Sequence, residues 1–249
     1  MRALNIPVVH HNAAVGANLR DQVTVPIVYK TKKGLSYDPQ NVTTSANMWQ
    51  YLAAGKGPFR SPGFEGLAFA NPTTVPDASD PSSTPARPTV QLSLCCGGGW
   101  GSGVGLRYGC PKGVFDQFPE AVTVLVTLLR PQSHGHVTLS GARDPEIDPQ
   151  YLCDPADVPV LEAGIRLVDR IFRNKPLSQF VTGVRTNYNV KPDPGDDCAG
   201  TPRTAPNAPA LTVRSAAMPG YSPVGTCAMC PVGGRTAVVD SETLAVEGV

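Results

Sequence analysis

Residues 121–129 constrain the fold more than any other stretch. Val122, Val124, Val126 and Leu128 alternate onto one side, while Leu125 and Leu129 make the other side apolar as well. Successive side chains of a strand point to opposite faces. A strand apolar on both faces therefore belongs in the middle of a covered sheet. A cover is present in the sequence. Val158, Leu161, Ile165, Val168 and Phe172 recur at spacings of three and four residues, the stripe of an amphipathic helix. Asp154 suits the N-cap of that helix, Pro155 its first position, and Asp157 stands three residues after the cap; Pro176 ends it. The stripe is expected to pack on the Val122–Leu128 face.

Weaker patterns fill in the rest. Residues 23–29 and 89–95 alternate as strands, and 136–140 reads as a further strand. The short turn Arg130-Pro131-Gln132-Ser133-His134-Gly135 predicts an antiparallel hairpin between 121–129 and 136–140. A helix is expected over 41–54, with Met48, Tyr51 and Leu52 at helical spacing and Gly55 beyond its end. Another, weaker helix is expected over 207–217. Residues 71–88 and 97–109 read as loops. The chain has 25 Gly and 26 Pro but only 16% charged residues, which fits a loop-rich chain better than a helical bundle. The fold class is α+β, an antiparallel sheet covered by helices on one side.

Charge excludes several roles. A net charge of +1 gives no electrostatic case for nucleic acid or an anionic membrane. No apolar run approaches the ~20 residues that span a bilayer, and Met1-Arg2-Ala3-Leu4 does not open a long apolar leader. Seven cysteines at irregular spacing argue for reduced, mostly buried thiols rather than a disulfide framework. Cys227-Ala228-Met229-Cys230 has redox or zinc spacing but no second pair, so a buried apolar thiol is expected and no metal site. His10, His11, His134 and His136 read as surface residues, and Arg130 as a cap on the sheet.

Several segments, in order along the chain, carry a family resemblance. Gly220-Tyr221-Ser222-Pro223-Val224-Gly225-Thr226-Cys227-Ala228-Met229, followed by Ala237-Val238-Val239-Asp240, resembles the C-terminal motif of the glucose–methanol–choline (GMC) oxidoreductases, roughly Tyr-His-Pro-Val-Gly-Thr-Cys-x-Met-Gly and then Val-Val-Asp. Leu4-Asn5-Ile6-Pro7-Val8-Val9 and Val15-Gly16-Ala17-Asn18-Leu19-Arg20-Asp21-Gln22 resemble a segment that in the family runs beside the cofactor and ends in His where Gln22 stands. Trp49-Gln50-Tyr51-Leu52, Gly66-Leu67-Ala68-Phe69, the 130–139 stretch and Asp144-Pro145-Glu146-Ile147-Asp148-Pro149-Gln150-Tyr151-Leu152 follow the family in the same order.

The resemblance implies an FAD-dependent oxidoreductase acting on the CH–OH group of a small alcohol or sugar. In such enzymes a base takes the hydroxyl proton while hydride passes to the flavin. The family's base is a His at the position of Ser222, and a serine hydroxyl is far too weak to replace it. Ser222 is thus the catalytic candidate, in a defective form. Asn18, Tyr221 and Thr226 are the cofactor-side candidates. The family binds FAD through a Gly-x-Gly-x-x-Gly turn. Gly97-Gly98-Gly99-Trp100-Gly101-Ser102-Gly103-Val104-Gly105 does not fit that spacing. The chain thus resembles the substrate-domain half of such an enzyme. Residues 1–40 are expected to form a linking segment after a flavin domain, 41–222 a substrate-binding domain, and 223–249 the start of a return to the flavin domain. Its partner is then the flavin-domain segment, and FAD is not expected to stay on this chain alone. A catalytically silent binding module, or a relative with other chemistry such as a hydroxynitrile lyase or fatty-acid photodecarboxylase, is the alternative.

Overall fold

The computed structural model describes residues 7–37, 42–61, 63–72, 87–97, 120–141, 144–183, 213–214, 216–231, 237–246 and 248. Its centre is a six-stranded sheet built from β1 (Val23–Thr31), β2 (Phe64–Ala70), β3 (Val90–Cys95), β4 (Ala121–Leu128), β7 (Val181–Gly183) and β8 (Met218–Pro219). The order is β2-β3-β4-β1-β7, with β8 also paired to β1, and every pairing is antiparallel. β4 lies between β3 and β1, as its two apolar faces require. The register sets Val124 against Ile27 and Leu94, and Val126 against Val25 and Leu92.

Helix α2 (Asp157–Arg173) covers one face. Val158, Leu161, Ile165, Val168 and Phe172 join Val23, Val25, Ile27, Val90, Leu92, Val124, Val126 and Leu128 in one buried cluster, with Val122 packed against it. Burial of each such side chain contributes about 1.5–3 kcal/mol. The helix sits close because Gly164 faces the sheet: a Cβ there would lie 2.7 Å from Val126 Cγ1. At the far end Tyr29 stacks on Phe172 with ring centroids 4.0 Å apart, and its hydroxyl donates to Asp169 Oδ1 at 2.5 Å. The opposite face is more polar. Thr24 and Thr127 share a hydrogen bond of 2.9 Å there, and Thr123 Oγ1 donates to the Gly97 carbonyl at 2.9 Å.

Four sequence expectations are corrected. Helix α1 runs Ser45–Ala54, not from 41, because Thr44 caps it by accepting from the Asn47 N–H at 3.2 Å; no residue of α1 is buried. Helix α2 starts at Asp157, after a turn in which Asp154 Oδ1 accepts from the Ala156 N–H. Asp157 does not cap the helix. It is buried and accepts from the N–H groups of Gln132 and Ser133 and from Ser133 Oγ, tying the 130–135 turn to the helix. The hairpin between 121–129 and 136–140 does not form. Both edges of β4 are taken by β1 and β3, so β5 (His136–Leu139) pairs with β6 (Pro145–Asp148) instead. Finally, Cys153 is disulfide-bonded, and Cys227 is exposed rather than buried. The sulfur chemistry of the chain is therefore not uniformly that of buried thiols. Most of the 71–88 and 97–109 loops, and the 207–217 helix apart from Val213, Arg214, Ala216 and Ala217, lie outside the described residues.

Candidate functional site

Residues 16–22 and 220–226, distant in sequence, run side by side. Arg20 and Val224 exchange backbone hydrogen bonds at 2.8 Å in both directions. The Gly16 N–H donates to the Thr226 carbonyl at 2.8 Å, and the Gly220 N–H to the Gln22 carbonyl at 2.6 Å. On its other side the first strip bridges to the 130–139 segment, where Leu19 and Gly135 exchange hydrogen bonds at 2.9 and 2.8 Å. Gly225 permits the crossing. Its φ is +98°, and a Cβ on it would lie 2.3 Å from the Asn18 carbonyl oxygen. This arrangement brings all four candidates, Asn18, Tyr221, Ser222 and Thr226, into one ribbon.

Two of them sit in the left-handed region of backbone space. Asn18 has φ 58° and Tyr221 has φ 59°. Asparagine tolerates that conformation through local hydrogen bonding, and Asn18 Oδ1 accepts from Arg20 Nε at 3.3 Å. Tyrosine has no such compensation, and the conformation costs roughly 1–2 kcal/mol. The result is a sharp turn that leaves Tyr221 45% and Val224 63% exposed, with Ser222 exposed between them. Ser222 lies in a loop beside Tyr221 at the surface, as its sequence context predicts. Gln22 Nε2 donates to the Leu129 carbonyl at 3.4 Å.

Two residues of the site were not singled out by sequence. Asp21 is only 9% exposed. Its Oδ1 accepts from the Ser222 N–H at 2.6 Å, and its Oδ2 accepts from the Tyr151 hydroxyl at 2.5 Å. Tyr151 is delivered by another sharp turn: its neighbours Gln150 and Leu152 have φ 50° and 58°. Burial raises the Tyr151 phenol well above its ordinary 10.0, and the hydrogen bond to Asp21 and the charges of Asp21 and Tyr221 push it further. The phenol is therefore a fixed donor over the whole physiological range. The matched segments did contain Asp21 and Tyr151. Only three-dimensional proximity shows that they share a hydrogen bond.

The antiparallel sheet with its covering helix has the fold of the GMC oxidoreductase substrate domain. Residues 131–249 match the family model described as GMC oxidoreductase, C-terminal part. The chain is 34% identical to "Dehydrogenase mpl7" of Monascus purpureus over 154 residues, covering 61% of this chain and 21% of that protein. It is 27% identical to "Glucose dehydrogenase [FAD, quinone]" of Drosophila pseudoobscura pseudoobscura over 252 residues, covering all of this chain and 37% of that one. A formate oxidase of Aspergillus oryzae shares the fold, with TM-score 0.71 and 23% identity over 100% of this chain and 43% of its own. The matched part of the chain, residues 131–249, belongs to the GMC oxidoreductase family, whose members include FAD-dependent oxidases and dehydrogenases. It spans 21 to 37% of the length of these two curated relatives.

Proposed function

We propose that this chain forms the substrate-side wall of an FAD-dependent enzyme acting on CH–OH groups, and that Ser222 leaves that wall without its proton acceptor. The carrying observation is the exposed Tyr221–Ser222 turn, held at the surface by Asp21 and by the ribbon. Tyr221, Ser222 and Val224 are exposed together on this ribbon, which supports Asn18, Tyr221 and Thr226 as cofactor-side residues. The fit extends to the ring and not to the pyrophosphate. Among the described residues neither helix opens on a glycine turn; α1 is capped by Thr44, and α2 follows Ala156 with an acidic first turn.

When bound, FAD supplies the hydride acceptor. The chain's own part is to hold the alcohol and move its proton. A hydroxyl at Ser222 can donate to or accept from the substrate oxygen or a water. It cannot take the proton at neutral pH, a task that suits a neutral imidazole. The wall therefore binds and orients but does not deprotonate, and the enzyme is silent or slow in alcohol oxidation.

The test joins this chain to the flavin-binding half of the Drosophila glucose dehydrogenase and compares Ser222 with Ser222→His. Alcohol-dependent flavin reduction is expected to rise about 10²–10⁴-fold, the usual worth of a placed general base. Equal rates for the two forms would overturn the assignment of Ser222.

A further inference from the structure

We propose that Asp21 is the positioning residue of this site: its carboxylate, shared by the Ser222 N–H and the Tyr151 hydroxyl, sets the direction in which the Tyr221–Ser222 turn presents its side chains. The inference rests on the reading that Ser222 occupies the reacting position.

Three observations converge on this one carboxylate. The first is its saturation by remote groups. Ser222 is 201 residues away and Tyr151 is 130 residues away, yet each bonds a different oxygen of Asp21 at 2.6 and 2.5 Å. The second is where the strain sits. Five non-glycine residues among those described have positive φ: Asn18, Gln150, Leu152, Tyr221 and Leu244. Three of them, Gln150, Leu152 and Tyr221, are next in sequence to a group that bonds Asp21, and Asn18 lies in the ribbon beside it. Strained backbone persists only where its surroundings over-determine it, and it gathers at functional sites. The third is burial. A carboxylate 9% exposed has little water to turn toward, so its two bonds fix its plane.

The chemistry follows from the geometry. The Ser222 peptide directly follows the left-handed Tyr221. Anchoring that N–H holds the turn open and points the side chain at position 222 outward. Tyr151 holds the other oxygen and prevents the carboxylate from rotating away. The raised phenol keeps its proton, so the grip does not loosen near neutrality. Asp21 thus acts through residue 222 and touches no reacting atom itself.

The test uses the full chain without flavin. Amide hydrogen exchange at Ser222 is compared with that at Ile27 in the sheet. Asp21→Ala should speed exchange at Ser222 by about 10–100-fold, the worth of a hydrogen bond to a charged group, with Ile27 unchanged. Asp21→Asn keeps one carbonyl acceptor and should restore most of the protection. Tyr151→Phe leaves the Ser222–Asp21 bond in place and frees only the carboxylate's rotation, so it should speed exchange less, by about 2–10-fold. If Asp21→Ala does not fold, Asp21→Asn still reports: its Tyr151 phenol should titrate at lower pH by ultraviolet absorbance. Unchanged Ser222 exchange in both Asp21→Ala and Tyr151→Phe overturns the proposal, as does, where Asp21→Ala does not fold, unchanged exchange in Tyr151→Phe together with an unchanged phenol titration in Asp21→Asn. The flavin-bearing fusion carrying Ser222→His separates this from the functional reading. There, Asp21→Ala should lower kcat about tenfold and leave KM nearly unaltered, and Asp21→Asn should recover most of the loss. Intact exchange effects with no gain from Ser222→His would refute the role of Ser222 and leave the Asp21 grip standing.

Discussion

Gly164 gives the sharpest test of the packing, because two known effects oppose each other there. Gly164→Ala improves helix propensity by about 1 kcal/mol. The added Cβ, however, would sit 2.7 Å from Val126 Cγ1 and 3.4 Å from Val90 Cγ1. Carbon atoms pack best at about 3.5–4.0 Å. Val126 cannot yield easily. It is β-branched and stiff at χ1, fully buried, and paired on both sides, to Val25 and Leu92. Overpacking of this kind costs about 1–3 kcal/mol. Against a mid-range steric cost of about 2 kcal/mol the propensity gain recovers about 1, and the net loss is about 1 kcal/mol. In urea the midpoint should fall by about 0.3 M if m is near 3 kcal/mol/M, with m itself unchanged. Removing the obstacle should reverse the sign: in a Val126→Ala background, Gly164→Ala should be neutral or stabilising. An unchanged or raised midpoint for Gly164→Ala alone would show that the helix does not sit on Val126 as described.

Two further outcomes are expected. The Cys95 thiol is pushed up from 9.0 to about 12, first by burial and then by Cys96, whereas Cys227 is exposed. At pH 8 a thiol reagent should modify Cys227 quickly and Cys95 only after unfolding, since a thiol of pKa 12 is about 10⁻⁴ thiolate. The folded pKa lies above the unfolded one, so the associated stability is complete below pH 9 and is lost as pH rises toward 12; labelling of Cys95 in the native protein at the Cys227 rate contradicts this. For the cofactor, refolding the 249 residues with excess FAD and desalting should leave no visible flavin band, because the sequence carries no Gly-x-Gly-x-x-Gly pattern to hold the pyrophosphate. A stoichiometric band would show another way of binding it.

Periodicity made the core legible. The two-faced 121–129 strand and the Val158–Phe172 stripe meet in the same cluster that their spacing predicts. Partner choice was not legible. The 130–135 turn looks like a hairpin loop, but antiparallel pairing is decided by which edges remain open, and β1 and β3 had taken those of β4. Helix starts were misplaced for a related reason: Asp157 has the right spacing for a capping residue, yet its carboxylate serves the Ser133 turn. The ribbon was legible only as separate motifs. Nothing local in Asn18-Leu19-Arg20-Asp21 states that it will lie against Val224, or that Asp21 and Tyr151 will share a proton bridge.

The meeting of the two strips has a consequence for how the protein is made. Asp21 leaves the ribosome 201 residues ahead of Ser222. At about 5–20 residues per second that is a wait of roughly 10–40 s. For that time the Oδ1 side of the Asp21 carboxylate, the 220–226 side of the strip 16–22 and the β8 side of β1 lack their native partner. Closing so large a loop costs entropy before any contact returns it. The Tyr221–Ser222 turn is therefore among the last parts of the chain to take shape. Any event that stops synthesis before residue 220 erases the site while the β3-β4-β1 sheet and its helix remain.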